Sequence, residues 1–221
     1  METVTFIIEG DIMHKDSGGH ESIITAGGVQ WMTAGKGLIH AETSSTAFKE
    51  NGGKLEILQL WLNLPARLKM TTPFYLGLQK EEIPNLLLDN GKVQLNLISG
   101  TWGEHAGAFQ SLTDVCMSTV YLTAGGRLSI QIPAEHTIFF YVVSGKLIVN
   151  ESKAETRQII EFDNNSSEVQ IHAEADSVLI LGHAQPLNEP VVAQGPFVMN
   201  TEREIQEAYQ DYRMGKFGQW R

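Results

Sequence analysis

The chain reads as all-β with one helix at its end, and three observations predict this. Short apolar segments of alternating polarity recur along most of its length between turn signals, the pattern of a barrel or sandwich. A glycine-punctuated stretch, 28–42, ends in a histidine and a glutamate two residues apart. The final segment alone changes to a helical period, with a capping residue before it and a glycine after it.

Residues 3–9 form the first expected strand, with Val4, Phe6 and Ile8 on one face and Gly10 as its stop. Residues 14–20 read as a turn between hairpin arms, which places His14 and His20 in a solvated loop. The next strand starts at Ile23 and Ile24. Gly35 and Gly37 suit a tight turn needing positive φ or close backbone approach, before a strand over 39–43. In that strand side chains alternate, so His40 and Glu42 share a face and can serve one divalent ion. Residues 44–53 are polar and loop-like. Residues 54–62 make a strongly apolar strand, expected to be central, and 67–88 a connector packed on the barrel, with a short helical turn near Glu81 and Glu82. Val93, Leu95 and Leu97 alternate as a strand, followed by a loop holding Trp102, Glu104 and His105.

Further short strands are expected over 115–122, 128–132, 137–143, 146–149, 169–172 and 178–181. The run from Phe140 to Leu147 echoes Phe6 to Ile12, which suggests duplication. His136, His172 and His183 read as histidines without metal partners, so the second half is expected to be metal-free. In the tail, Thr201 caps a helix with Glu204 as its reciprocal partner. Ile205, Ala208, Tyr209 and Tyr212 form an apolar face, Arg213 suits the last turn and Gly215 the stop.

With 221 residues, 42% hydrophobic and 19% charged, the chain supports a large folded core. A formal charge of −10 disfavours direct binding to nucleic acid or anionic membrane. Cys116 is the single cysteine, so no intrachain disulfide forms, and its apolar neighbours suggest a core thiol. With no membrane-length run and no signal-like start, a cytoplasmic setting is expected, or a nuclear one in a eukaryote.

The stretch from Gln30 to Glu42 closely resembles the signature of pirins, two-domain members of the cupin superfamily. Residues 195–201 resemble the pirin C-terminal signature, and Glu2-Thr3-Val4-Thr5 resembles the family's Phe-Glu-Thr-Val segment. The resemblance implies two cupin-like β-barrels of the double-stranded β-helix (jelly-roll) type, over 1–107 and 108–221, the second carrying the tail helix. It implies a mononuclear metal site in the first barrel, with His40 and Glu42 as two ligands and Fe(II) as the expected ion. Glu42 is also the expected proton acceptor, and Trp31 and Met32 are expected to pack behind the site. The remaining two family ligands are a His-x-His pair preceding the Phe-Glu-Thr-Val segment. This sequence starts within that segment, so the pair is absent and the first barrel is expected to be incomplete, with open strand edges. For some members the resemblance implies quercetin 2,3-dioxygenase activity on a flavonol. For others it implies a redox-responsive, non-enzymatic partner of transcription factors, and a metal-free remnant is the third expectation.

Overall fold

In the computed structural model, residues 1–163 and 166–219 are described. Contacts divide the chain into two compact units, 1–82 with 187–221, and 83–186. This division falls elsewhere than the expected 1–107 and 108–221. The reason is that the last strands and the tail helix contact elements of the first unit, and the second unit's sheet starts with the strand at Asn85.

The first unit opens with β1 (Glu2–Glu9), β2 (Asp11–Asp16), β3 (Glu21–Thr25), β4 (Val29–Thr33) and β5 (His40–Thr43). Helix α1 (Thr46–Asn51), β6 (Glu56–Leu62), α2 (Ala66–Lys69) and β7 (Phe74–Leu78) follow. One sheet has the order β6-β1-β4-β7 and the other β3-β2-β5, all paired antiparallel. Strand β1 is flanked on both sides, and Glu2 through Ile7 are buried on both faces, where simple alternation was expected. The apolar 54–62 segment is an edge strand of its sheet, not a central one. Its apolar content leaves Trp61 half exposed at 50%. Sequence alternation reports two-faced burial poorly when the inside of a barrel is itself polar.

Two other segments differ from expectation. Residues 46–51 are helical because the Ser45 hydroxyl accepts from the Phe48 amide and caps the first turn. The 67–88 connector holds a full strand, β7, which pairs with β4 from Val29↔Leu78 to Thr33↔Phe74, and a second strand at Asn85–Leu88. Its prolines lie outside that pairing, so they do not remove ladder donors. The short helical turn at Lys80–Glu82 is present.

The second unit comprises β8 (Asn85–Leu88), β9 (Val93–Ser99), the hairpin β10 (Thr101–Trp102) and β11 (His105–Ala106), β12 (Cys116–Leu122) and β13 (Arg127–Gln131). It continues with β14 (Thr137–Ser144), β15 (Lys146–Val149), β16 (Ser152–Glu155), β17 (Gln158–Ile160), β18 (Glu168–Ala173) and β19 (Ser177–Ala184). A sheet of order β17-β14-β19-β12-β9-β8 faces one of order β13-β18-β15-β16 across a hydrocarbon core that includes Leu95, Val120, Phe140, Leu147, Ile171 and Leu179.

The tail returns to the first unit with β20 (Val192–Gln194), β21 (Phe197–Met199) and α3 (Glu202–Arg213). The Thr201 hydroxyl accepts from the Glu204 amide, and the Glu204 carboxylate accepts from the Asn200 amide and the Thr201 hydroxyl, so both predicted partners cap the helix. Ile205 is buried and Tyr209 meets the Phe197 ring edge-on at 4.7 Å, while Tyr212, expected on the same apolar face, is exposed. The chain after α3 brings Phe217 against Gly37, where any side chain on that residue would collide with the ring.

Candidate metal centre

The site is set by the pairing of β2 with β5. In that register His14 lies directly across from Glu42, and Asp16 directly across from His40. Cross-strand partners share a face, so four chemistry-bearing side chains converge where the sequence marked two. The turn that delivers β5 depends on Gly35 and Gly37, both at positive φ (51° and 115°), as their spacing predicted.

His14 is therefore not a loop residue. It sits inside β2, whose burial alternates so that Ile12, His14 and Asp16 all face inward, and it is fully buried at 0% exposure. The signal was present as a His-x-Asp at strand spacing after Ile12. The lysine and glycines nearby made the segment look like a turn. His20, by contrast, is exposed in the turn as expected, where its ring and amide both approach Asp16 Oδ1.

His14 Nε2 lies 3.1 Å from Asp16 Oδ2, so the carboxylate accepts the ring N–H and leaves Nδ1 with its lone pair free. That Nδ1 is 4.0 Å from Glu42 Oε1. The His14 ring stacks on Tyr75 at 3.9 Å and 8°, which fixes its plane. Tyr75 donates to Gln30 Oε1 at 3.0 Å, and Gln30 in turn donates to Glu42 Oε1. Gln59 donates to Glu42 Oε2 at 2.7 Å. Each inward group is thus held by a neighbour that is itself hydrogen-bonded.

The electrostatics favour a charged carboxylate beside neutral imidazoles. Burial raises the Glu42 pKa, but the neighbouring imidazoles and the hydrogen bond from Gln59 outweigh it and hold the carboxyl below its ordinary range. Asp16 is held low in the same way, burial being outweighed by hydrogen bonds from His14 and His20. Burial pushes His40 down, only partly offset by Glu42. Tyr75 is pushed up to about 12 by burial, so it stays a neutral donor.

His14, His40 and Glu42 each offer a donor atom, and these atoms lie within 4.8 Å of one another. Both His14 Nδ1 and His40 Nδ1 are buried without a hydrogen-bond partner. Two unpartnered imidazole nitrogens facing an ionised carboxylate are costly in a bare protein and are satisfied by a cation. Two donors about 2.1 Å from one ion span at most about 4.2 Å, and the His14–Glu42 separation falls inside that limit. Two imidazoles and a carboxylate are the donor types that a divalent metal takes. Glu2 is buried too, but its carboxylate accepts from Thr33 at 2.6 Å, and it is not part of this cluster. His105 is exposed on its hairpin.

A cavity of about 680 Å³ borders the centre, with His40, Gln59, Met32, Trp61, Phe197 and Tyr209 in its wall. Met32 therefore faces open space, where packing behind the site was expected, because β4 turns alternate residues to opposite faces and Met32 falls on the cavity side. Trp31, its neighbour on β4, is buried and does not line the cavity. Lys69 also lines the cavity. It is almost fully buried, donates to Asn63 Oδ1 at 2.6 Å and has its pKa lowered by burial, and nothing in the local sequence distinguishes it from a surface lysine.

Residues 1–62 match the pirin family model, and residues 117–218 match the model of the pirin C-terminal cupin domain. Pirin-1 of Arabidopsis thaliana is 36% identical over 226 residues, covering 98% of this chain and 75% of its own length. The chain belongs to the pirin family. A crystal structure of quercetin 2,3-dioxygenase from Acinetobacter baumannii superposes with a TM-score of 0.93 at 38% identity, covering 98% of this chain and 76% of that one. Escherichia coli pirin YhhW in complex with nickel(II) superposes with a TM-score of 0.65 at 25% identity, over 84% of this chain and 73% of that one. The two-barrel cupin architecture expected from the pirin resemblance is thereby established, and at least one pirin relative holds a metal ion. Among the described residues no helix is long and apolar enough to cross a membrane.

Proposed function

We propose that this pirin binds one divalent metal through His14, His40 and Glu42, and that the loaded form oxidises a flavonol of the quercetin type with dioxygen. The observation that carries this reading is the pair of buried, unpartnered imidazole nitrogens facing Glu42 beside a large cavity. Two histidines and one carboxylate with open positions form the donor set used by non-haem Fe(II) oxygenases, which makes Fe(II) the expected ion. The names of the solved relatives support both the substrate class and the metal dependence.

When bound, Fe(II) would supply a Lewis-acidic, redox-active centre with free positions for oxygen ligands. The chain's own residues do the rest. Asp16 holds His14 in the tautomer that presents Nδ1. Gln30 and Gln59 hold the two oxygens of Glu42, so that the carboxylate enters the site already oriented. Glu42 is the acceptor for the proton of a substrate hydroxyl brought into the centre, which meets the cavity through His40 and Gln59. Trp61, Phe197 and Tyr209 give that cavity flat apolar walls suited to an aromatic ligand, and its volume lies in the range of small-molecule sites.

The test measures metal content and oxygen consumption with quercetin on the same Fe(II)-loaded preparation. Metal at one per chain, lost in His14→Ala and His40→Ala, with flavonol-dependent oxygen uptake, supports the reading. Stoichiometric metal without oxygen uptake would leave a metal-binding protein that is not this enzyme. Metal retained in both alanine variants would overturn the ligand assignment.

A further inference from the structure

His136 and His183 read as isolated histidines in the sequence, yet the second unit brings them together. His183 lies near the end of β19 and His136 immediately before β14, whose Ile138 pairs with His183. Their Nδ1 atoms are 2.9 Å apart, with ring centroids at 5.1 Å and planes inclined by 41°. Both side chains are half-buried.

A neutral imidazole carries one N–H and one lone pair. Two Nδ1 atoms that face each other need one ring to hold its proton there, or a cation that takes both lone pairs. Without metal, a neutral N–H···N hydrogen bond joins the two rings; a metal ion can take its place, because neutral imidazole is the ligand form and the Nδ1 proton can move to Nε2.

The spacing also selects a geometry. Two nitrogens about 2.0–2.1 Å from one ion are about 2.9 Å apart at a right angle, and about 3.3–3.4 Å apart at a tetrahedral angle. The observed separation matches the right angle, that of adjacent positions around a tetragonal or octahedral ion. Room for the other ligands exists. His183 borders a cavity of about 220 Å³, also lined by Cys116, Ser118 and Gln131. Cys116 is the direct cross-strand partner of His183, so its thiol starts from the same face of the sheet.

We propose that His136 and His183 form a second transition-metal site, in the second barrel, which takes an ion of the Ni(II) or Cu(II) type in adjacent coordination positions and leaves the neighbouring cavity for water or a small ligand. This site is independent of the His14–His40–Glu42 centre and stands whether or not that centre is catalytic.

The experiment uses the full chain with the first centre disabled by His40→Ala and Glu42→Gln, dialysed to equilibrium against Ni(II). The expected result is one Ni(II) per chain, with affinity falling about tenfold or more on adding His183→Gln or His136→Gln while the thermal melting profile is kept. Proton NMR of the first-centre variant reads the same site without touching it, since paramagnetic Ni(II) should broaden the ring resonances of His136 and His183 before those of His105 and His172. If a glutamine variant unfolds, this broadening order decides. Absence of bound Ni(II) in the first-centre variant, binding unchanged by both glutamine substitutions, or broadening that starts at other histidines would overturn the proposal.

Discussion

In the second barrel the buried positions of β9, β12, β14 and β19 include Leu95, Leu97, Val120, Phe140, Val142, Leu179 and Leu181. In the first, the corresponding interior carries Glu2, Thr5, His14, Asp16, Gln30 and Thr33, all buried. Among the described residues, the buried polar groups of the second unit are uncharged (Asn96, Ser99, Ser118, Thr119 and Ser177). The same architecture thus holds two kinds of interior. A hydrocarbon core stabilises by removing apolar area from water. A polar core contributes little of that and must satisfy each group by hydrogen bonds or an ion. The first barrel accepts that cost where a metal can offset it. The second leaves its polar chemistry to the histidine pair and cavity beside the core.

The largest effect that follows from this contrast is on stability. Phe140→Ala should destabilise the second unit by about 3–5 kcal/mol, measured by urea unfolding, and leave metal binding at the first centre intact. If both were lost together, the two interiors would not be separable in the way described. Next comes the first barrel's counterpart. His14→Ala should lower metal affinity at the first centre roughly 100-fold or more, read by competition with a chelator, because it removes a donor and not merely its support. Asp16→Asn should cost less, about 10–100-fold, since it loosens the tautomer and orientation of His14 without deleting it. An Asp16→Asn variant with unchanged affinity would remove Asp16 from the design.

The smallest expected effect is in the pH dependence of stability. His183 is held at about 4 in the folded chain against an ordinary 6.5, so between those values the unfolded state binds more protons. Stability is then fully present above about 6.5 and declines as pH falls toward 4. His40, also lowered by burial, acts in the same direction in the first barrel. Melting temperatures measured across this window should fall with acid, and His183→Gln should flatten the decline. A decline unchanged in that variant would assign it to other groups.

The longer strands of the second barrel could be read closely, because a hydrocarbon core forces a clean alternation of apolar and polar residues on them, while the short β8, β10, β11, β16 and β17 were not marked. The expected strand over 115–122 corresponds to β12, and the one over 137–143 to β14. The first barrel was harder. Its polar interior makes buried and exposed positions look alike, so β2 read as a turn, β7 as a connector and the edge strand β6 as a central one.

The capping of α3, the positive-φ glycines before β5 and the placing of His40 and Glu42 on one face were determined by sequence alone, because each depends on residues within a few positions of one another. Three things were left to the tertiary structure: the approach of His14 to Glu42 across a strand pair, the tautomer imposed by Asp16, and the meeting of His136 with His183. Each is fixed by strand register between segments distant in the chain. A one-residue slip in that register would turn the same side chains to the opposite face, and no local pattern encodes which register the folded barrel selects.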